Sequence, residues 1–258
     1  ARCLSVLIPA LILAGACAKR PLLYEGRPPD ILVAKDGSGD FTTISAAVRN
    51  ATEGAVIGVK PGRYVEKVEI TDVSGITLFG AGPGRSIIDA GGEYAAVSLA
   101  SDDVTISGFT LTGGGSHGVY VKDGHHTIER CLITGNRDRG IYLSNTFGDG
   151  SADISYCTIV DNEVSGIYSI ADNPMTEITY CIIARNGRGI VTDGEGEGMT
   201  VEYNVLDNRD ANFERVSDES DNVIADPKFV NPARGDFRLR PDSPARNIDG
   251  DGNNAGCF

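Results

Sequence analysis

The sequence is short of positive charge. Lys and Arg number 23 against 36 Asp and Glu, for a formal net charge of -13 and a pI near 4.6. Binding a phosphate backbone needs a dominant basic face, so nucleic acid is excluded as the main partner. The 33 glycines lack the G-X-Y period of collagen and therefore mark turns. The apolar run Leu4 to Ala16, broken by Ser5, Pro9 and Gly15, is too short to cross a bilayer as a stable helix. No ten-residue helical pattern separates the strand-like segments, which excludes a βαβ sheet. No CxxC pair points to zinc or a redox centre, and no EF-hand or nonapeptide repeat points to a dedicated calcium loop.

What is present is repetition. TIERCLITGN (127–136), DISYCTIVDN (153–162), EITYCIIARN (177–186) and MTVEYNVLDN (199–208) align, with Cys131, Cys157, Cys181 and Asn204 at one position and Asn136, Asn162, Asn186 and Asn208 at the last. The spacings between the first set are 26, 24 and 23 residues. An earlier copy, VTISGFTLTGG (104–114), aligns with Gly108 at the Cys position and Gly113 at the Asn position; ITLFGAG (76–82) is a weaker one. A second element follows each copy: AAVS (95–98), GVYV (118–121), GIYL (140–143), GIYS (166–169) and GIVT (189–192). A period near 23, made of short β-branched runs between Gly, Asn and Asp turns, fits one coil of about three strands, each paired in parallel with its copy about 4.8 Å away. A leucine-rich repeat has a similar period but needs a Leu framework that is missing here. The predicted fold is all-β: a right-handed single-stranded parallel β-helix with a short N-terminal capping helix.

Strand alternation sends Ile141, Leu143, Val119, Val121 and Ile167 inward and stacks Tyr120, Tyr142 and Tyr168 on the outer face. Asn136, Asn162, Asn186 and Asn208 are expected to form an inward ladder. Cys131, Cys157 and Cys181 are expected to stack as small apolar residues, poorly placed for disulfides. A solenoid needs capped ends. Residues 43–50 read as a helix capped by Asp40 or Thr42, with Ile44, Ala47 and Val48 on its apolar face. The predicted organisation is a leader over 1–16, a Pro-rich tether over 17–30, the β-helix with its N-terminal cap over 31–225, and an irregular C-terminal cap over 226–258.

Leu13-Ala14-Gly15-Ala16-Cys17, after a basic residue and a short apolar run, resembles a bacterial lipobox. The resemblance implies export, lipidation at Cys17 and attachment to a membrane through that lipid alone. An ordinary cleaved signal and a retained anchor are the other readings.

VAKDGSGDFTTISAAV, VKPGRYVEKVEI and GITLFGAGPGRSIIDAGG (within 33–92) resemble the opening third of pectin methylesterases. The catalytic phrases of that family do not follow: there is no Gln-Asp-Thr-Leu, no Asp-Phe-Ile-Phe and, with no Trp in the chain, no Gly-Arg-Pro-Trp. Pectin methylesterase activity is therefore not expected. Residues 95–208 resemble the repeat shared by pectate lyases, polygalacturonases, alginate lyases and mannuronan epimerases. That resemblance implies the pectin lyase-like fold and a polysaccharide partner, and leaves the reaction open.

Several residues stand out for chemistry. Tyr120, Tyr142 and Tyr168 can offer a platform to sugar rings; the alternative is burial beneath 144–152 and 170–176. His117, Arg139, Ser165 and Arg188 each precede the Gly of the second element, and Arg137 and Arg185 share their turns. Such a row can bind the carboxylates of an acidic polysaccharide, or pair with Asp138, Asp161 and Glu163. The resemblance to polyuronate lyases implies a base for the C5 proton and a cation for the enolate-like state, roles assigned to Lys122 and Arg139. Asp123, Asp149, Asp153, Asp172 and Asp193 lie in turns where Ca²⁺ can bind; His125 and His126, adjacent at a turn, point apart. Two functions fit: a polyuronate lyase-like enzyme, or a non-catalytic cell-surface protein that binds glycan or mediates attachment. Either is expected to act as a monomer.

Overall fold

The computed structural model describes residues 23–144, 150–170, 176–194, 199–216 and 219–258. The leader and Cys17 lie outside the described residues. Within them, strands of two to five residues recur in fixed order and collect into three parallel sheets of nine, eight and seven strands, with each strand paired to its copy in the next coil. The seven-stranded sheet takes one strand per coil: Val68–Ile70, Ala95–Leu99, His117–Val121, Arg139–Leu143, Ser165–Ser169, Arg188–Thr192 and Ala211–Glu214. The chain is thus a parallel β-solenoid of about seven turns, almost without helix.

The core is built of like residues stacked on like. Ile106, Ile128, Ile154, Ile178 and Val201 pair in register on one wall, and Leu111, Ile133, Ile159, Ile183 and Leu206 on a second. Val119, Ile141, Ile167 and Ile190 line the third. All are fully buried, as are Cys131, Cys157 and Cys181, which are free thiols. β-Branched residues suit this arrangement because their stiff side chains pack well on a pleated surface.

The asparagine ladder is present and carries the corner before the seven-stranded sheet. Asn136 Nδ2 donates to Asn162 Oδ1 at 2.9 Å, Asn162 to Asn186 at 3.0 Å, and Asn186 to Asn208 at 2.9 Å. Each carbonyl also accepts a backbone N–H from the coil before it. Asn212 ends the ladder by accepting from Asn208. The recurrent Gly of the second element belongs to the same device. A Cβ on Gly118 or Gly189 would fall 2.8 Å from the amide of Asn136 or Asn208, and on Gly166 3.1 Å from that of Asn186. Glycine is required there for close packing.

One stretch pairs differently from its sequence alignment. Thr127 faces Thr105 and Ile128 faces Ile106, so Phe109 occupies the Cys position and Gly114, not Gly113, meets Asn136. The expected alignment is one residue out of step. It would set Ile106 against Glu129, and a one-residue slip turns a core side chain to solvent. Gly108 takes instead the left-handed corner conformation (φ 72°) that Arg130, Tyr156, Tyr180 and Tyr203 adopt in later coils.

The N-terminal helix is Ile44–Arg49, with Ile44, Ala47 and Val48 buried as expected. Its cap is Thr43, whose hydroxyl accepts from Ala46 N, and not Asp40 or Thr42. Asp40 accepts from Leu32 N instead, and the Glu66 carboxylate takes the N–H groups of Ile44 and Ser45. The described part of the segment read as a tether, 23–30, is held against the first coils. Tyr24 packs on Phe79 at 5.4 Å, and Asp30 bonds Val56 through both backbone and carboxylate. Residues 226–258, expected to close the far end, run along the flank of the eight-stranded sheet. Phe229, Phe237 and Leu239 cover its outward Leu132, Val160, Ile182 and Val205. Those outward residues are apolar, and burying them favours a lateral cover over an end cap.

Candidate functional site

The outer face of the seven-stranded sheet carries two parallel rows. One reads Ala95, His117, Arg139, Ser165 and Arg188; the other reads Ser98, Tyr120, Tyr142, Tyr168 and Val191. The predicted site residues His117, Arg139, Arg188, Tyr120, Tyr142 and Tyr168 are therefore brought together. Lys122, just past its strand, sets Nζ 5.6 Å from the Tyr120 ring centroid. Arg137 does not join them: it is exposed in a turn, and its backbone N–H bonds Gly114.

The tyrosines do not form a row of open ring faces. Tyr120 and Tyr142 stack on each other (5.2 Å, 8° between planes), and Tyr120 is only 9% exposed. Tyr168 tilts 56° from Tyr142, and the Arg139 guanidinium lies over it at 4.1 Å. Arg139 is also 5.0 Å over Tyr142 and is ion-paired to Asp138 at 2.5 Å. Stacking through successive coils consumes ring faces, so these tyrosines present edges and hydroxyls. The Tyr168 hydroxyl donates to Asp193, and burial together with that carboxylate pushes its pKa up to about 12.

Sequence reasoning missed Tyr94. It lies in the turn before Ala95, and its hydroxyl is 3.1 Å from His117 Nε2. No repeat partner announces it; its only signal is its place one coil ahead of Tyr120. His117 is 1% exposed, and burial followed by the nearby Arg139 charge lowers its pKa to about 3, so the imidazole is neutral. Among the described residues, three buried polar atoms on successive coils of this row, His117 Nδ1, Arg139 Nε and Ser165 Oγ, have no hydrogen-bond partner. Buried polar groups are normally satisfied, and each unsatisfied one asks what serves it.

The competing salt-bridge reading holds for part of the basic set: Arg185 pairs with Asp161 and Arg188 with Glu214, both at 2.8 Å. Among the described residues no three His, Cys, Asp or Glu side chains converge as a metal site. Asp123 accepts from Gly124 N and Asp153 lies 3.3 Å from His125; Asp149 and Asp172 lie outside the described residues. The turn expected over 122–126 ends early, because His125–Glu129 is a strand. His126 is buried between Val104 N and the Asp123 carbonyl, a structural placement that lowers its pKa by desolvation.

Residues 95–240 match the family described as the right handed beta helix region. The chain belongs to the right-handed β-helix family. Residues 30–119 also match the pectinesterase family. Pectinesterase 2 of Arabidopsis thaliana is 48% identical over 83 residues, 30% of this chain and 14% of that protein. Probable pectinesterase 56 of the same plant is 28% identical over 201 residues, 60% of this chain and 69% of that protein. The chain spans a third or less of the length of three such pectinesterases, Pectinesterase 2 included, at 14%, 26% and 33%. A crystal structure of a pectin methylesterase in complex with a hexasaccharide superposes with a TM-score of 0.51 at 15% identity, over 70% of this chain and 66% of that one. That likeness bears on the β-helix fold. The pectinesterase match ends at residue 119, before Tyr120, Arg139, Tyr142 and Tyr168.

Proposed function

We propose that the outer face of the seven-stranded sheet binds an acidic polysaccharide. The observation that carries this reading is the Arg139 guanidinium, on a side chain 22% exposed, laid over Tyr142 and Tyr168 on the face that the exposed Tyr94 heads. A chain of hydroxyl and carboxylate groups running along the solenoid would meet the exposed side chains of successive coils at strand spacing, about 4.8 Å. Arg139 is preset for it, because Asp138 and the two tyrosine rings hold its guanidinium in place. Arg188 extends the cationic side. Gel electrophoresis through polygalacturonate, alginate or a glycosaminoglycan tests the reading: the protein should be retarded by at least one, and Arg139→Ala should restore free migration. Unretarded migration in all of them would sink it.

A lyase-like reaction on the same face is the second reading, and Lys122 favours it. Among the described residues Lys122 makes no salt bridge and reaches over Tyr120. That leaves its neutral amine to take the C5 proton while Arg139 steadies the developing negative charge; the C4–O bond to the next sugar then breaks as the C4–C5 double bond forms, and the departing oxygen takes a proton from water. The ultraviolet absorbance of an unsaturated product, lost in Lys122→Ala, would establish cleavage. Retention without product, with or without Ca²⁺, would mark the protein as a glycan-binding or attachment module. Export through residues 1–16, with Cys17 as the lipidated residue of a monomeric protein at the cell envelope, belongs to the same proposal. Palmitate labelling that is lost in Cys17→Ala tests it.

A further inference from the structure

Among the described residues only Tyr94 and Phe258 are both aromatic and exposed, at 52% and 41%. Phe258 belongs to the C-terminal cover, whereas Tyr94 stands at the head of the tyrosine row. In register, Tyr120 faces Ser98 in the preceding coil, so the column of side chains from the strands stops at Tyr120. Tyr94, from the turn just before that strand, fills the space beyond it. Its ring meets Tyr120 edge-on at 5.3 Å (72°) and His117 edge-on at 5.0 Å (84°). More than half of it remains open to solvent, where Tyr120 is 9% exposed.

The ring is also held. Its hydroxyl meets His117 Nε2, and its backbone carbonyl accepts from Ser116 N at 3.0 Å and His117 N at 2.9 Å in the next coil. A ligand therefore finds it already ordered, and little rotamer freedom is lost on binding. The hydrogen bond survives ordinary changes of pH, because His117 stays neutral down to about pH 3 and burial raises the Tyr94 phenol pKa. A rigid, exposed aromatic ring with a polar tip suits one kind of partner here, the C–H face of a pyranose ring lying along the sheet face.

We propose that Tyr94 is a stacking subsite for a single pyranose ring at the N-terminal end of this face, positioned by His117. This rests on the reading of the face as a polysaccharide site. It assigns ring stacking to Tyr94, because stacking has consumed the faces of Tyr120 and Tyr142. Binding is then divided along this face: hydroxyl and carboxylate contacts at Arg139, and apolar ring contact at Tyr94.

The test uses the full chain and polygalacturonate, with alginate and a glycosaminoglycan in parallel. Tyr94→Ala should weaken retention about fivefold to tenfold. Tyr94→Phe should keep most of it, and Tyr94→Trp should match or exceed the wild type. Because the chain contains no Trp, the Tyr94→Trp variant carries a single indole, excited apart from the tyrosines, whose emission should shift on adding the polysaccharide. Tyr203→Ala, in the separate stacked column of Tyr156, Tyr180 and Tyr203, should leave retention unchanged. Wild-type retention in Tyr94→Ala with unmoved emission in Tyr94→Trp overturns the Tyr94 role alone. Absence of retention of the wild type by all three polymers overturns the polysaccharide reading and the subsite with it.

Discussion

The side-chain amide of Asn162 fills the space that a methyl group on Gly140 would need. A Cβ on Gly140 would lie 3.0 Å from Asn162 Nδ2, and also 2.6 Å from Gly166 O and from Ile159 Cγ2. Asn162 is fully buried and gives both amide hydrogens away, to Ile133 O and Asn186 Oδ1. The recurrent Asn and the recurrent Gly are two halves of one packing unit.

Gly140→Ala should therefore destabilise the protein by about 3 kcal/mol, combining overpacking with a displaced hydrogen bond. Asn162→Ala should cost a similar amount. In the double variant the losses should fall short of their sum, because the amide that the new methyl strikes is gone. Urea denaturation of the four proteins measures this; strict additivity would show the two residues to be independent.

The pH dependence of stability should report on His117. Its folded pKa of about 3 lies below the ordinary 6.5, so between these values the unfolded chain binds a proton that the folded chain refuses. The contribution is complete above pH 6.5 and declines as pH falls towards 3, at up to about 1.4 kcal/mol per pH unit. His117→Gln should flatten the slope of unfolding free energy against pH in that window. Identical slopes in the two proteins would contradict the placement of a neutral, buried imidazole.

Thiol chemistry should be silent in the folded state. Cys131, Cys157 and Cys181 are fully buried, and desolvation raises the first two pKa values well above normal. Cys257, itself part of the C-terminal cover and partly buried against the flank, is pushed up to about 12 by burial. Iodoacetamide at mild alkaline pH should label none of the four until denaturant is added, as peptide mass mapping would reveal. Rapid labelling of Cys257 alone would mean that the cover lifts from the flank.

The cover itself should matter to stability. Phe237 is 4% exposed, packs edge-on against Phe229 at 5.2 Å and helps to shield Ile182 and Val205. Phe237→Ala should lower stability by about 3–5 kcal/mol and increase binding of a hydrophobic dye. A stable variant with no added dye binding would leave the lateral packing without energetic weight.

Much of this architecture was legible in the chain because a solenoid writes its contacts into its period. Residues one coil apart become neighbours, so the Asn ladder, the Cys stack and the inward turn of Ile141 and Leu143 follow from spacing and alternation alone. The slip at 104–114 shows where that logic thins. With Gly108 at a corner and no Cys or Asn to mark the coil, the register is set by core pairings such as Ile106 with Ile128 and Leu111 with Ile133.

The candidate site was legible as a set of residues but not as a surface. Spacing predicted that Tyr120, Tyr142 and Tyr168 would share a face with His117 and Arg139. It carried no information on ring tilt, and therefore none on the stacking that closes two tyrosine faces and lays Arg139 over the third. Tyr94 lies in a turn without repeats, and the segment 226–258 reaches Thr158 and Tyr180 across a long stretch of sequence. Backbone register repeats from coil to coil, so the linear order of residues specifies it. Side-chain rotamers and the docking of non-repeating segments depend on neighbours that meet only once the coils have closed, and these decide which atoms remain free to bind.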